Sequence, residues 1–395
     1  MDVIHYTHSH RSGAAWYVFN LVRSMPRGEV RVHLVCPSDF EYLDRFRADS
    51  RNLWISARIP STGEVSRARR LCRMLVQTVV GFRAVRALHR DRAGSAIVHV
   101  NFHGLMFFTL PLLISFRLSG FRTVFNVHDV LPHRWLLPRS LRFVERAVLR
   151  GIYLAANKLV VHHREALTLL GEEFGIRSEK VAVIPHGPFR LSEAPVRYKE
   201  DSTFVALLFG GLRENKGIHL AIRAVQNMRA NGYPIKLLIA GKASASESRY
   251  WRQCKAQVEA SPAGLTMIDR YLEDEEVKEV IAGAHFFLLP YTEYHSQSGV
   301  AALALSNGRP IVATRAGGLS DVFVPGQTGM LIEQPTVKAT EEALLRTLRL
   351  GHDGLREMGR RAFEVYNASY SWDAIAQEYV DLYRMLKIPS EGADR

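Results

Sequence analysis

The sequence predicts an α/β protein built from two doubly wound domains. Three observations carry this prediction. The chain has 395 residues, enough for two domains at about 150 residues each. Two successive series of short apolar runs alternate with helical segments, the pattern of βα units on parallel sheets. Between the series, residues 188–202 are polar and aperiodic and read as a linker.

In the first series the predicted strands are Val3–Thr7, 30–36, 96–101, 123–128, 158–163 and 180–186. They are continuously apolar, as strands buried on both faces must be. Helices are predicted at Ala15–Met25, Ser140–Leu154 and Glu165–Phe174. The longest apolar run, Leu105–Phe116, has 12 residues. A bilayer span takes about 20, so this run reads as a buried helix. The second series places strands at 204–210, 235–241, 265–269, 285–291, 310–314 and 329–333, and a closing helix over Trp372–Leu386. The predicted organisation is a domain over 1–187, the linker 188–202, a second domain over 203–371 and a C-terminal helix over 372–388. Ligands of such folds bind outside the carboxyl ends of the strands, so the expected site is a cleft that the two domains face.

Composition narrows the classes. At 47% hydrophobic and 23% charged, the chain is neither collagen-like nor disordered. Cys36, Cys72 and Cys254 are odd in number and widely spaced, which excludes a disulfide framework and a clustered zinc site and fits a reducing compartment. No basic head and apolar stretch open the chain, so no secretory signal is read. The net charge of +13 is lopsided: residues 1–200 carry 30 basic and 16 acidic side chains, residues 201–395 carry 22 and 23, and 51–150 alone carry 17 against 4. Such a field attracts nucleic acid, an anionic membrane or a phosphorylated substrate.

That charge peaks in Ser66–Arg90. Leu71, Met74, Leu75, Val79, Phe82 and Val85 recur at helical spacing, with Arg69, Arg73, Arg83, Arg86 and Arg90 mostly off that face. Two readings stand: a helix packed on a sheet with a solvated basic side, or an amphipathic helix resting on an anionic membrane surface. No nucleic-acid-binding motif is present, and nucleic acid is not expected as a partner.

The chemistry-bearing motifs sit at strand exits. In FGGLRENKGIHLAIRAV (209–225), a strand ends at Gly210-Gly211, and Arg213, Lys216 and Gly217 precede a helix. Two cations beside glycines at a helix start suit a diphosphate; an ordinary basic βα loop is the alternative. In 290–332, Ser298 and Gly299 begin an apolar helix whose first amides form a second anion cradle, and Gly317-Gly318 ends a further strand. Together these three exits point to a nucleotide. In the first half, Ser12-Gly13-Ala14 lies between a strand and a helix, and His128, Asp129 and His186 lie at strand ends.

On VHDVLPH, VIPHG, GLRENKG, LPYTE…SQSGV, NGRPIVAT-x-x-GGL and GQTG-x-L, in this order and spacing, the chain resembles glycosyltransferase family 4. The likeness is to the branch with an SQSG-type donor loop, and it spans nearly the whole chain. The resemblance implies the GT-B fold of two Rossmann-like domains. It implies a hexosyltransferase that moves a sugar from a nucleotide sugar with retained anomeric configuration. No metal or other cofactor is expected, and no D-x-D pair is present. It implies that Arg213 and Lys216 neutralise the donor diphosphate, that Gly13 lies in the loop where donor and acceptor approach, and that His128 is near the reacting sugar. Ser298, Gly299 and Val300 would supply phosphate-facing amides, and the last helix would cross back to the N-terminal, acceptor-side domain. The acceptor expected is a growing glycan or a polyprenyl-diphosphate-linked one, used in surface polysaccharide assembly at the cytoplasmic membrane face. The family often carries two glutamates eight positions apart, and those positions hold His295 and Leu303 here. Glu293 is the candidate for the first acidic role, with one extra residue before the SQSG loop. Ser12 stands for the first glycine of the usual pair, and His285 for a common aspartate. A catalytically silent protein with the same shell, or a nucleotide-sugar epimerase, are the alternatives.

Overall fold

The computed structural model describes residues 1–48, 53–59, 67–90, 96–102, 104–132, 135–199, 202–243, 248–293 and 297–387. The chain divides into two compact units, one made of 1–187 and 371–395 and the other of 188–370. The helix predicted from 372 belongs to the first unit.

In the first unit the strands are β1 (Asp2–Thr7), β2 (Arg31–Pro37), β3 (Leu53–Ile59), β4 (Ile97–Phe102), β5 (Arg122–Asn126), β6 (Lys158–Val161) and β7 (Val181–Val183). All pair in parallel, in the order β3-β2-β1-β4-β5-β6-β7. The strand β3 is absent from the sequence reading. It lies at the sheet edge, and its LWISARI interrupts the apolar run with Ser56 and Arg58, as edge strands tolerate. The helices are α1 (Ser12–Arg23), α2 (Leu43–Ala48), α3 (Arg67–Arg90), α4 (Met106–Leu118), α5 (Arg142–Ala155) and α6 (Arg164–Phe174).

Alternate strand residues feed the two faces. Val3, Leu34 and Ile97 pack with α1 and with Ile375, Tyr379 and Val380 of the C-terminal helix. Ile4, Tyr6, Val98 and Val100 pack with Leu113 and Phe116 of α4 and Ile152 and Tyr153 of α5. Two expectations change here. The run 105–116 is buried on one side only: Thr109, Leu112, Leu113 and Phe116 are inside, while Ile114, and Leu118 just beyond the run, are 43% and 85% exposed. The helix α3 turns differently from the apolar face expected of it. Val85 of that face is buried and Phe82 packs against the core, but Gln77 and Thr78 are buried too, whereas Leu71, Leu75, Val76 and Val79 are exposed. Gly81 sets this rotation, because a Cβ there would lie 2.4 Å from the Tyr6 hydroxyl; only a glycine lets the helix come so close. Ser66, which opens that reading, lies outside the described residues.

The second unit holds β8 (Phe204–Phe209), β9 (Ile235–Gly241), β10 (Leu265–Asp269), β11 (Phe286–Leu289), β12 (Ile311–Thr314) and β13 (Gly329–Ile332), again all parallel, in the order β10-β9-β8-β11-β12-β13. Its helices are α7 (Ile218–Ala230), α8 (Ser248–Ala260), α9 (Asp274–Ala282), α10 (Gly299–Ser306), α11 (Leu319–Val322), α12 (Val337–Leu348) and α13 (Gly351–Ser369). The chain ends with α14 (Trp372–Lys387) in the first unit.

The stretch read as a linker has no helix or strand in its described part, yet it is packed into the second unit. The Asn307 amide donates to the Phe189 carbonyl at 2.6 Å and its oxygen accepts from Leu191 N at 2.9 Å. Arg309 is fully buried, donates to the carbonyls of Ile281, Ala284, Val196 and Arg197, and stacks 3.6 Å from the Tyr198 ring. Burial draws its guanidinium down to about 10. The NGRP motif is therefore a clamp for 189–198. We expect Arg309→Met to leave these carbonyls unpaired and to cost about 3 kcal/mol, read as a lower midpoint of chemical denaturation.

Candidate functional site

Strand order in the second unit reverses between β8 and β11. Loops at such a reversal splay apart and leave room for a ligand at the carboxyl ends. The two loops that carry the sequence-predicted diphosphate residues leave these two strands. After β8 the chain turns at Gly210, with φ +105°, passes Arg213, makes a single 3₁₀ turn over Glu214–Lys216, and enters α7 through Gly217, with φ +63°. After β11 it passes Tyr291 and reaches α10, capped by Ser298.

The loops hold each other. A Cβ on Gly217 would lie 2.0 Å from the Pro290 carbonyl oxygen, so only glycine permits this approach. The Thr292 amide donates to the Asn215 carbonyl at 3.0 Å. Val300 reaches to 3.0 Å of where a Gly210 Cβ would stand. Lys216 is buried, with its ammonium 3.7 Å from the centre of the Tyr291 ring, an attraction strengthened by desolvation. The Tyr291 hydroxyl lies 3.4 Å from Ser298 Oγ, which in turn accepts from Ala301 N. Burial pushes the Tyr291 phenol up, against the pull of Ser298 and of the Arg213 charge. With Ala301 N taken by the cap, the amides of Gly299 and Val300 are the helix's first N–H groups and have no intrahelical acceptor. Arg213 is half-buried, and among the described residues no carboxylate pairs with it. Two cations and two amide donors at one strand reversal make a site for a doubly charged anion.

The other positions singled out in this half of the sequence differ in their setting. Glu293 is exposed on the same loop, two residues past Tyr291. His295 lies outside the described residues. Leu303 is buried in α10. His285 accepts a hydrogen bond from Val205 N on Nδ1 at 3.0 Å and stitches the start of β11 to β8, which is a structural duty at the far end of the strand. Among the described residues no group of three or more His, Cys, Asp or Glu is placed to hold a metal ion.

In the first unit the strand exits gather histidines. Gly13 is exposed in the first turn of α1. Tyr17, one turn further, meets His128 edge-on at 5.3 Å and also touches His162, His186 and Trp372. The His128 ring stacks on Phe102 at 3.7 Å with planes 7° apart. Its Nε2 donates to the Asn101 carbonyl at 3.1 Å, and its Nδ1 lies 3.1 Å from His162 Nε2. His162 Nδ1 donates to the Ile184 carbonyl at 2.9 Å. Burial, then the neighbouring His162 and His186, holds His128 well below the ordinary histidine range. The sequence singled out His128 and His186 but missed Tyr17, His162 and Tyr291. Aromatic residues in an apolar run look like core, and only the assembled strand ends show what they touch.

Beneath these rings runs a satisfied polar ladder. Tyr17 donates to Tyr379 at 2.5 Å, Tyr379 to Asn126 Oδ1 at 3.1 Å, and Tyr383 to His99 Nδ1 at 2.5 Å. His99 Nε2 donates to Asn126 Oδ1 at 2.9 Å. Burial lowers His99 and His186 to about 4 and His162 to about 3. An unfolded histidine takes its proton near pH 6.5. Between pH 6.5 and 4 the unfolded chain therefore binds more protons than the folded one, and stability falls as pH falls. Each such histidine contributes a slope of about 1.4 kcal/mol per pH unit. The denaturation midpoint is expected to drop between pH 7 and pH 5; equal midpoints would show that these rings are not buried neutral.

The comparisons agree with this architecture. A model described as Glycosyltransferase Family 4 matches residues 11–187, and one described as Glycosyl transferases group 1 matches 203–349. The chain is 30% identical over 273 residues to the D-inositol 3-phosphate glycosyltransferase of Corynebacterium urealyticum, covering 65% of this chain and 62% of that protein. It is 27% identical to the MMP alpha-(1->4)-mannosyltransferase of Mycolicibacterium hassiacum, covering 82% and 81%. A glycogen synthase of Thermus thermophilus is matched over 43% of its length, so the chain spans less than two thirds of the first relatives it matches. Among solved structures, HepE of Anabaena in complex with UDP-glucose superposes with a TM-score of 0.73 at 15% identity, covering 98% of this chain and 100% of that one. Sucrose-phosphate synthase from Thermosynechococcus elongatus gives 0.73 at 17%, covering 98% and 99%. With each unit matched by a glycosyltransferase model and 98% of the chain covered by solved structures of the same fold, the protein has the GT-B fold and carries the sequence signature of a glycosyltransferase like those of family 4.

Proposed function

We propose that this chain is a retaining hexosyltransferase. Its donor is a nucleotide-diphosphate sugar, and its acceptor is a glycan or a polyprenyl-diphosphate-linked sugar in surface polysaccharide assembly at the cytoplasmic membrane face. The observation that carries the reading is the meeting of the Arg213–Gly217 and Ser298–Val300 loops at the strand reversal of the second unit. In the reaction the bond between sugar C1 and the diphosphate oxygen breaks. The acceptor oxygen bonds to C1 on the same face, and its proton passes to the departing phosphate oxygen. Negative charge grows on the diphosphate as it leaves. Arg213 and Lys216, with the amides of Gly299 and Val300, are assigned to stabilise that charge, and no metal or other cofactor is assigned. His128 and Glu293 are assigned to the transferred sugar, and Gly13 to the loop where the acceptor approaches.

Relatives named for transfer to inositol phosphate, for a mannosyltransferase and for colanic acid biosynthesis support the hexosyl and glycan parts. HepE, solved with UDP-glucose, supports the donor class. Calorimetric titration with UDP, GDP, ADP and their sugar derivatives tests the reading. Saturable binding of one base series is expected, and a folded protein that binds none of them would overturn it. Nuclear magnetic resonance of the product's anomeric proton then reads retention or inversion.

A further inference from the structure

The loop Arg213–Gly217 of the second unit is fastened at both ends to one neighbour, the helix α8. Upstream of the loop, the exits of β8 and β9 lie backbone on backbone. A Cβ on Gly241 would stand 1.8 Å from the Gly210 carbonyl oxygen. Leu212 N donates to the Lys242 carbonyl at 3.2 Å, and Leu212 forms an isolated parallel bridge with Ala243. Asp269, at the carboxyl end of β10, holds Ala243 in turn. Its Oδ1 accepts from Ala243 N at 3.4 Å and its Oδ2 from Trp251 Nε1 at 2.6 Å, with Lys255 Nζ 2.8 Å away. Trp251, which is buried, and Lys255 both lie on α8. Downstream of the loop the anchor is Tyr250, also on α8. Its hydroxyl accepts from His219 N at 3.1 Å and lies 2.9 Å from His219 Nδ1. His219 is the second residue of α7.

The residue types follow from the donors they meet. Three donors converge on Asp269. A carboxylate offers two acceptor oxygens, whereas an asparagine offers one and would turn an NH₂ toward a donor. Two strand spacings, about 10 Å, separate β10 from β8. At that range a bare carboxylate would oppose an anion held at the β8 exit, and the Lys255 ammonium cancels that charge. A phenol both accepts and donates, so the Tyr250 hydroxyl serves the two His219 atoms at once. It also satisfies one of the first amides of α7, which no carbonyl of the helix itself can reach. Arg213 follows Leu212 directly, and Lys216 precedes Gly217 at the start of α7. Both cations therefore hang between two fixed points. A cation ordered beforehand spares the entropy that a free side chain and loop lose on binding.

We propose that Asp269 and Tyr250 are positioning residues of the donor site: Asp269 sets Arg213 through Ala243 and Leu212, and Tyr250 sets Lys216 through His219. This rests on the donor reading given above. The test is calorimetric titration of the full chain with UDP, GDP and ADP, with circular dichroism to show that each variant is folded. Asp269→Asn and Tyr250→Phe are each expected to weaken the nucleotide that wild type binds by about tenfold, as for residues that share one network. In an Arg213→Ala background Asp269→Asn is expected to cost about twofold or less, because the side chain it sets is gone. Tyr250→Phe in a Lys216→Ala background is expected to behave alike. A general loosening of the fold would instead carry over in full. Should Asp269→Asn fail to fold, Tyr250→Phe decides, since it removes a single oxygen atom. A folded wild type that binds none of the three nucleotides removes the donor reading and this proposal with it. Wild-type binding with unaltered affinity in the variants, or losses that stay tenfold in the alanine backgrounds, overturns the positioning role alone.

Discussion

Replacing Lys216 with alanine is expected to weaken nucleoside-diphosphate binding by roughly 1.5–3 kcal/mol, about ten- to a hundredfold. Arg213→Ala is expected to fall in the same range. The physical reason is the environment. Lys216 is buried against the Tyr291 face, where a charge–charge contact is screened less than in water. In the proposed site, removing it would leave the departing diphosphate with half of its side-chain counter-charge. Calorimetry on the two single variants and the double variant reads this directly. Unchanged affinity in both single variants would remove the site from the second unit. Tyr291→Leu separates position from charge: it keeps the ammonium and deletes the ring, so a smaller loss of affinity is expected than in Lys216→Ala.

Gly217→Ala is the second large effect. The residue has φ +63°, a conformation that costs an alanine about 1 kcal/mol. Its added carbon would also sit 2.0 Å from the Pro290 carbonyl oxygen. One of the two loops must move, and that breaks the Thr292–Asn215 bond at their meeting point. We expect a loss of about 2–4 kcal/mol in stability together with loss of nucleotide binding. A variant with wild-type thermal midpoint and affinity would show that the loops are not joined there.

Much of this was legible because buried parallel strands announce themselves. FVALLF and IKLLIAG have one reading each, and the glycines after them mark where the backbone must turn. The loop residues Arg213, Lys216 and Ser298 could be named from their spacing, since a helix start and a strand end fix where they stand. Other features are long-range. Nothing local distinguishes Tyr291 from a core tyrosine until Lys216 lies over its ring. The face of α3 is only partly legible: Phe82 and Val85 face the core as their spacing implies, but helical periodicity cannot show that Gly81 lets the helix roll onto Tyr6, burying Gln77 and Thr78 and leaving Leu75 and Val79 outside. Likewise, NGRP enters the sequence reading only as part of the resemblance, and nothing local shows that Asn307 and Arg309 place their hydrogen bonds on the chain at 189–198.

The first unit is discontinuous, and α14 supplies Tyr379 and Tyr383 to its interior. During synthesis the first 187 residues leave the ribosome well before that helix exists. Domains made in one piece can fold as they emerge; this one waits, with Tyr17, His99 and Asn126 lacking their last partners, until some 180 intervening residues have been made. The domain begun first is therefore the one completed last, and a chain cut short before Trp372 leaves that domain without the tyrosines that close its interior.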